Sequence, residues 1–557
     1  MASSKPLKIG LSGAAGRGGA LGAALRAAGA KIQAVCDIRA EALDECVRKT
    51  GAAEKYSDYD EMLARAELDA VIVGTPMDLH VPQAIAALER GLHVLSEVPA
   101  GVSVEECRRL VQAAAASKAV YMLAENYAYD RLNLLVRELA RRGLFGQAYY
   151  AEGEYIHELK ELNERTPWRR RWQTGIDGVT YGTHSLGPIL QWLGGDRVTR
   201  VSCAGSGHHY RDPRGAAYEN EDSCVMLCRT AGGALVKVRV DMLSDRPHAM
   251  NTHQLQGTDG AYESARGGPG ERPKIWLRSL SSRVEWMDLQ TAMETGPLRE
   301  FVPAGWRDAA EEAARHSHGG SDFFLAADFL RAARGEVPCP IGVHEAMDMT
   351  LPGLVSQQSI LQEGAWLGVP DSRAWLTGPL QPQLQLVWPR RLLESPPPLA
   401  IPDGYEMRLY RPEDEAAYIE LMAKAGFTGW TPKQVAQTVR GILPEGFFLI
   451  VHRATGRLVA TAMALHSPLD LHPYGGELGW VAADPEHKGR GLGLAVCAAA
   501  LRRFLRAGYQ EIYLRTDDFR LAAIKTYLKQ GWEPLLFREG MAERWEAVYR
   551  SILWRRS

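Results

Sequence analysis

Four side chains in the middle of the chain have the types and spacing of a proton-transfer site. Tyr155 and His157, in the segment EYIHE, are two residues apart, so they share one face of a strand. Tyr181 and His184, in YGTH, are three apart at the expected start of a helix and again share a face. Phenols and imidazoles move protons around neutral pH. Two further sites are marked by glycine. In KIGLSGAAGRGG an apolar run leads into a glycine-rich turn and then a helix. Such a turn lets a pyrophosphate reach the backbone N–H groups at the helix start. Counted from Gly13, the G-x-G-x-x-G spacing has Ala15 at its second glycine and Gly18 at its third, with Arg17 between. A second register runs Gly13, Gly16, Gly19. Asp37 closes the next apolar run about 20 residues on, where a carboxylate accepts hydrogen bonds from an adenosine ribose. That favours NAD, whereas Arg17 and Arg39 leave NADP open, since arginine accommodates a 2′-phosphate. The third site is Lys488-Gly489-Arg490-Gly491-Leu492-Gly493, which follows the strand-like run Glu477–Val481 and precedes a helix. It has the form of a second pyrophosphate loop.

These groups need elements to position them. Over residues 7–125 short apolar runs alternate with helical stretches, predicting strands at 7–12, 32–36, 70–74, 93–96 and 120–124. Strict alternation of strand and helix predicts an α/β domain with a parallel sheet. Gly91 is suited to end one helix and Ser103 to cap the next. From 126 to 375 strand-like runs dominate, among them CVMLCRT-AGG-ALVKVRV, which reads as a hairpin. They predict an α+β domain on an open, mostly antiparallel sheet. Residues 376–403 are proline-rich and read as a linker, and a third unit occupies 404–557.

Bulk properties set limits. A chain of 557 residues exceeds one core, and about three domains are expected. The net charge of −2 gives no global electrostatic basis for binding nucleic acid or an anionic membrane. No signal peptide and no run of about 18 apolar residues is present, which predicts a cytoplasmic protein. The eight cysteines are scattered, and the C-x3-C of Cys224 and Cys228 has no second pair, so buried reduced thiols and no metal site are expected.

The glycine turn, Asp37 and VIVGTPMDLHVPQAIAALERGLHVLSEVPA together resemble the Gfo/Idh/MocA oxidoreductases over about 1–370. The resemblance implies NAD(P), with Thr75, Pro76, His80, Glu97 and Pro99 lining the dinucleotide groove. The family's usual E-K-P lysine is Val98 here, and its two aspartates around the helix histidine are Thr180 and Gly187. The segments HVLSEVPAGVSVEECRRLV, MLAENYAYD, GEYIHELKEL, YGTHSLGPI and HGGSDFF are similar to glycoside hydrolase family 109, the NAD-dependent α-N-acetylgalactosaminidases. That resemblance implies that Glu125, Tyr155, His157, Tyr181 and His184 face a sugar. It leaves two enzymatic outcomes open: net dehydrogenation, or oxidation followed by elimination, hydration and reduction. A third alternative is an NAD- and sugar-binding domain without turnover that regulates the other module. The open sheet face is expected to form a homo-oligomer. TPWRRRWQ, Thr166–Gln173, is a candidate substrate loop.

Residues 404–557 resemble the GNAT N-acetyltransferases through the Lys488–Gly493 loop and a later segment with Arg520, Tyr527 and Trp532. The resemblance implies acetyl-CoA held by Val481, Lys488, Gly489, Arg490, Gly491 and Gly493. It makes Tyr527 the acid for the departing thiolate and Glu477 the base for an amine. The chain is thus expected to join a carbohydrate-active module to an N-acetyltransferase, with a sugar and an amine as substrates.

Overall fold

The computed structural model describes residues 5–552 and 554, apart from 283, 304, 307–309, 314, 317, 377–382, 428, 429, 519 and 539 and the side chains of 310 and 312. The chain divides into two compact units, 1–379 and 380–557.

The first unit begins with a parallel sheet in the order β3-β2-β1-β4-β5-β6. Its strands are β1 (Lys8–Ser12), β2 (Lys31–Cys36), β3 (Glu54–Tyr56), β4 (Ala70–Val73), β5 (His93–Ser96) and β6 (Tyr121–Leu123). The order reverses at β1/β4, the switch point where doubly wound sheets bind dinucleotides. β4 is buried throughout, as a strand covered on both faces must be. Ser103 caps the helix Val104–Ala116 by accepting from the Glu106 N–H. The edge strand β3 is short and polar and lies outside the expected set.

A second sheet follows, in the order β14-β13-β12-β11-β7-β10-β9-β8-β15. It comprises β7 (Ala148–Ile156), β8 (Val198–Gly205), β9 (Ser223–Thr230), β10 (Leu235–Asp241), β11 (Asn251–Gly257), β12 (Gly260–Glu263), β13 (Lys274–Leu277), β14 (Met287–Asp288) and β15 (Leu367–Gly368). The expected hairpin is β9–β10, antiparallel from Ser223↔Asp241 to Arg229↔Leu235. The β7–β10 pair is parallel and the other pairs are antiparallel. On β9 buried and exposed residues alternate, so one face covers the core. Helix Thr183–Trp192 lies on the inner face: a Cβ at Gly153 of β7 would meet Ser185 Cβ at 2.7 Å.

The second unit is built on a sheet in the order β17-β18-β19-β20-β21-β16-β22. Its strands are β16 (Leu384–Val387), β17 (Tyr405–Leu409), β18 (Ile442–His452), β19 (Leu458–His466), β20 (Gly476–Ala483), β21 (Ile512–Thr516) and β22 (Glu533–Pro534). This corrects the expected linker over 376–403, of which 377–382 lie outside the described residues. Leu384–Val387 fills the sheet between β21 and β22, with Leu384 and Leu386 fully buried. Its prolines flank this strand and do not interrupt it, so the ladder keeps its N–H donors.

Candidate functional site

The first turn is shaped by backbone approach. Gly13 and Gly16 have φ of 82° and 70°, in the left-handed region that glycine enters without penalty. A side chain on Gly18 would run into the Gly13 carbonyl, and one on Gly74 would meet Gly18 Cα at 2.7 Å. Nothing lies within 4 Å of a Cβ at Gly16, the N-cap of helix Arg17–Ala27, and no side chain caps that helix. Gly13 and Gly16 thus keep the turn and its open side, and Gly18 seats the helix against β4. Ala15 uses its N–H to donate to Asp37 Oδ2 at 3.2 Å. Asp37 also accepts from the Arg39 N–H and Nε, at 3.0 and 3.2 Å. Its remaining lone pairs suit ribose hydroxyls. Open space beside uncapped N–H groups, with a carboxylate at the end of β2, fits a dinucleotide.

Other groove residues serve as ties. His80 is 1% exposed and its ring nitrogens lie 2.8 Å from Pro99 O and 3.0 Å from Thr75 O, joining the exits of β4 and β5. Pro76 starts the short turn of helix that follows. Val98 is 3% exposed in the core, so it offers the site nothing polar. Arg17 donates from Nε to Glu97 Oε1 at 2.9 Å and in a fork to Asp322 at 2.8 and 3.0 Å. Burial opposes its charge, but Glu97 and Asp322 outweigh that and its pKa is raised.

The four expected side chains converge. Ring centroids separate Tyr155 from Tyr181 by 5.5 Å, Tyr155 from His184 by 5.2 Å and Tyr181 from His184 by 5.3 Å. Tyr155 Oη lies 2.8 Å from His157 Nδ1. His157 is held below the usual histidine range by burial, then by the charges of Arg169 and His248, so the neutral ring accepts the phenol proton. Burial pushes Tyr155 and Tyr181 up, and both remain protonated. Glu125 departs from its expected part as a sugar contact. It is fully buried, and its oxygens lie 2.9 and 3.1 Å from His184 Nδ1, while the Tyr127 N–H donates to it at 3.2 Å. Glu125 is therefore a positioning residue for His184. The reason is steric: a Cβ at Gly187 would sit 2.6 Å from Glu125 Cγ. The glycine that replaces an expected aspartate makes room for this carboxylate.

Tyr127 was outside the expected set, although its segment was part of the resemblance. Its ring is 4.7 Å from His184 and 6.2 Å from His318, and burial with Glu125 pushes its phenol up to about 12. Nothing in its spacing marks it, since Glu125 and His184 meet only in the fold. Arg169 of the predicted loop stacks over Trp168 and donates to Gln173, and its charge is felt by Tyr155, Tyr181 and His157. Among the described residues no group of three or more His, Cys, Asp or Glu is arranged to hold a metal.

In the second unit β20 and β21 pair only at Gly476↔Ile512 and Glu477↔Tyr513, then part, leaving a cleft. The loop beside it turns on Gly489 and Gly491, each with φ of 79°, and helix Leu492–Arg506 starts without a side-chain cap. Lys488 is exposed and Arg490 donates to Tyr405 Oη at 3.0 Å. Gly493 lies 3.7 Å, measured from an added Cβ, from Thr526. Val481 packs beside the Leu492 helix core. Tyr527 is buried on helix Leu521–Gln530, and burial keeps its phenol protonated. Glu477 is engaged at both oxygens by Arg515, at 2.8 and 3.0 Å. A base there must first release one of them.

Three family models match: Gfo/Idh/MocA oxidoreductase, NAD-binding Rossmann fold, over 7–125; glycosyl hydrolase 109, C-terminal domain, over 129–376; and acetyltransferase (GNAT) family over 409–532. A glycosyl hydrolase family 109 protein from Saccharopolyspora erythraea is 30% identical over 398 residues, covering 66% of this chain and 83% of that one. The α-N-acetylgalactosaminidase of Shewanella oneidensis is 29% identical over 374 residues, covering 62% and 80%. Levoglucosan dehydrogenase in complex with NADH matches with a TM-score of 0.54 at 21% identity, over 66% of this chain and 100% of that one, a likeness of fold. The chain belongs to glycosyl hydrolase family 109 and carries, after that module, a GNAT-family acetyltransferase domain.

Proposed function

We propose that the first unit is an NAD-dependent glycosidase acting on α-N-acetylgalactosaminides without net oxidation, and that the second is an acetyl-CoA-dependent N-acetyltransferase. The observation that carries the first reading is the Glu125–His184 pair, ringed by Tyr127, Tyr155 and Tyr181. The N–H groups at Gly16 and Arg17 would hold the pyrophosphate and Asp37 the ribose. When bound, NAD supplies a reversible acceptor for hydride from a sugar carbon. With Nδ1 committed to Glu125, His184 takes the sugar hydroxyl proton at Nε2, in the manner of a carboxylate-oriented imidazole. Departure of the aglycone and addition of water each move another proton. Tyr155, backed by His157 Nδ1, carries these. This division of labour accounts for Val98, which has no proton to give.

In the second unit the amine nitrogen attacks the thioester carbonyl. The C–N bond forms, the C–S bond breaks, Tyr527 protonates the leaving thiolate, and the amine proton goes to Glu477 or its water. The exposed Val225 and Leu227 on the outer face of the nine-stranded sheet support a homo-oligomer contact there. The test is a chromogenic α-N-acetylgalactosaminide incubated with the protein and NAD, with aglycone and NADH absorbance read together. Aglycone release without net NADH is expected. NADH that accumulates with sugar consumption would make the unit a plain dehydrogenase.

A further inference from the structure

Beside the second-unit cleft, Trp480 has a φ of 51°. Bulky side chains enter that region only under strain. The register shows the cause: Trp480 and Val481 together oppose Ala462, a bulge between β19 and β20. Bulges re-aim side chains, and glycine is the residue that takes this conformation freely. A tryptophan kept there and 39% exposed is a strained residue with a job to explain. Its ring stands 4.8 Å from Trp430 at 86°, and 5.9 Å from Phe427. Arg520 Cζ lies 4.1 Å over the Phe427 ring. Trp480 is on β20 and Arg520 follows β21, so the aromatic group spans both lips of the cleft.

The group also lies on the side of the sheet opposite the acyl-CoA machinery. Phe427 and Trp430 pack on the core of Tyr418, Phe447 and Leu449. Tyr527, Val481 and Leu492 belong with Phe448 and Ile450, the alternate residues of the same strand. A molecule on the aromatic side meets the thioester through the cleft.

We propose that Trp480, Trp430 and Phe427 form the acceptor subsite and that the acceptor is a 2-amino sugar, its pyranose C–H face on the Trp480 indole. Arg520 already places a cation on Phe427, which disfavours the second, far ammonium of a linear polyamine against that ring. A neutral ring suits the two perpendicular indoles. Arg520, whose Nε donates to Asp517 Oδ2 at 3.3 Å, offers a planar polar group for hydroxyls beside the Phe427 ring. The inference rests on the acetyltransferase reading of this unit, and the acetylated product carries the same N-acetyl group as the sugar the first unit is proposed to release.

The test uses the full chain, acetyl-CoA, and galactosamine or 1,4-diaminobutane as acceptor, with free CoA thiol as readout. Wild type is expected to prefer galactosamine at least tenfold in kcat/KM. Trp480→Gly, which suits the backbone and so preserves folding, is expected to raise the galactosamine KM at least tenfold with the acetyl-CoA KM within twofold. Phe427→Leu is expected to do the same more weakly. A galactosamine KM within twofold in Trp480→Gly overturns the proposal. So does a preference for the diamine, or no transfer to galactosamine by a protein that binds acetyl-CoA. Absence of acetyl-CoA binding in wild type instead removes the acetyltransferase reading, and the proposal falls with it.

Discussion

In the first unit the groups proposed to react are side chains drawn from the exit of β6, from the end of β7 and from the start of helix Thr183–Trp192, and burial keeps the phenols of Tyr127, Tyr155 and Tyr181 protonated. In the second unit the proposed hold on the coenzyme rests instead on backbone: two strands that part after two register pairs, and a loop turned on Gly489 and Gly491. A side-chain site fails when one atom is changed. A backbone site tolerates most substitutions and fails only where a Cβ meets a left-handed glycine.

The largest effect is expected at His184. His184→Asn should reduce glycoside turnover by about a thousandfold at unchanged thermal stability, and Glu125→Gln should fall between that variant and wild type. Initial rates and a melting curve decide this; equal loss in both variants would make Glu125 as central as His184. Next, Tyr527→Phe should slow acetyl transfer about a hundredfold with the acetyl-CoA KM unchanged, measured as thiol release. Full-rate transfer would remove Tyr527 as the acid.

Below these stands a stability effect confined to the side-chain site. His253, beneath His184 with Nε2 3.2 Å from its carbonyl, is pushed down by burial to about 4 from an ordinary 6.5. The folded pKa is depressed, so between these values the unfolded chain binds more protons and stability rises with pH. The contribution is fully present above about 6.5 and lost toward 4, amounting to about 3 kcal/mol. Denaturant titrations across that window should show the loss in wild type and a flatter profile in His253→Gln; parallel profiles would contradict it. The smallest effects are expected at the glycine loop of the second unit. Gly491→Ala should weaken acetyl-CoA binding by about fivefold through left-handed strain of about 1 kcal/mol. Gly493→Ala, which meets only ordinary contact, should change it less than about twofold, both read by calorimetric titration.

Much of this was legible in the sequence because it is local. Strand and helix alternation foretold the first sheet and Ser103 the cap of a helix; the two-residue and three-residue spacings keep Tyr155 near His157 and Tyr181 near His184, although His157 lies just past β7 and Tyr181 just before helix Thr183–Trp192. What escaped reading depends on distant partners. Leu384–Val387 looks like part of a proline-rich linker, and only its pairing with β21, far along the chain, makes it a strand. Glu125 reads as a sugar contact until Gly187 is seen to leave it a place beside His184. Arg17 reads as a phosphate group's neighbour, yet its fork grips Asp322.

The most direct test of the central claim is aglycone release from a chromogenic α-N-acetylgalactosaminide by wild type and His184→Asn, each with NAD and with NADH absorbance followed in the same sample. Release by wild type with no net NADH is expected, with release near background in the variant. Undiminished release by His184→Asn, or release by wild type that does not require NAD, would contradict it.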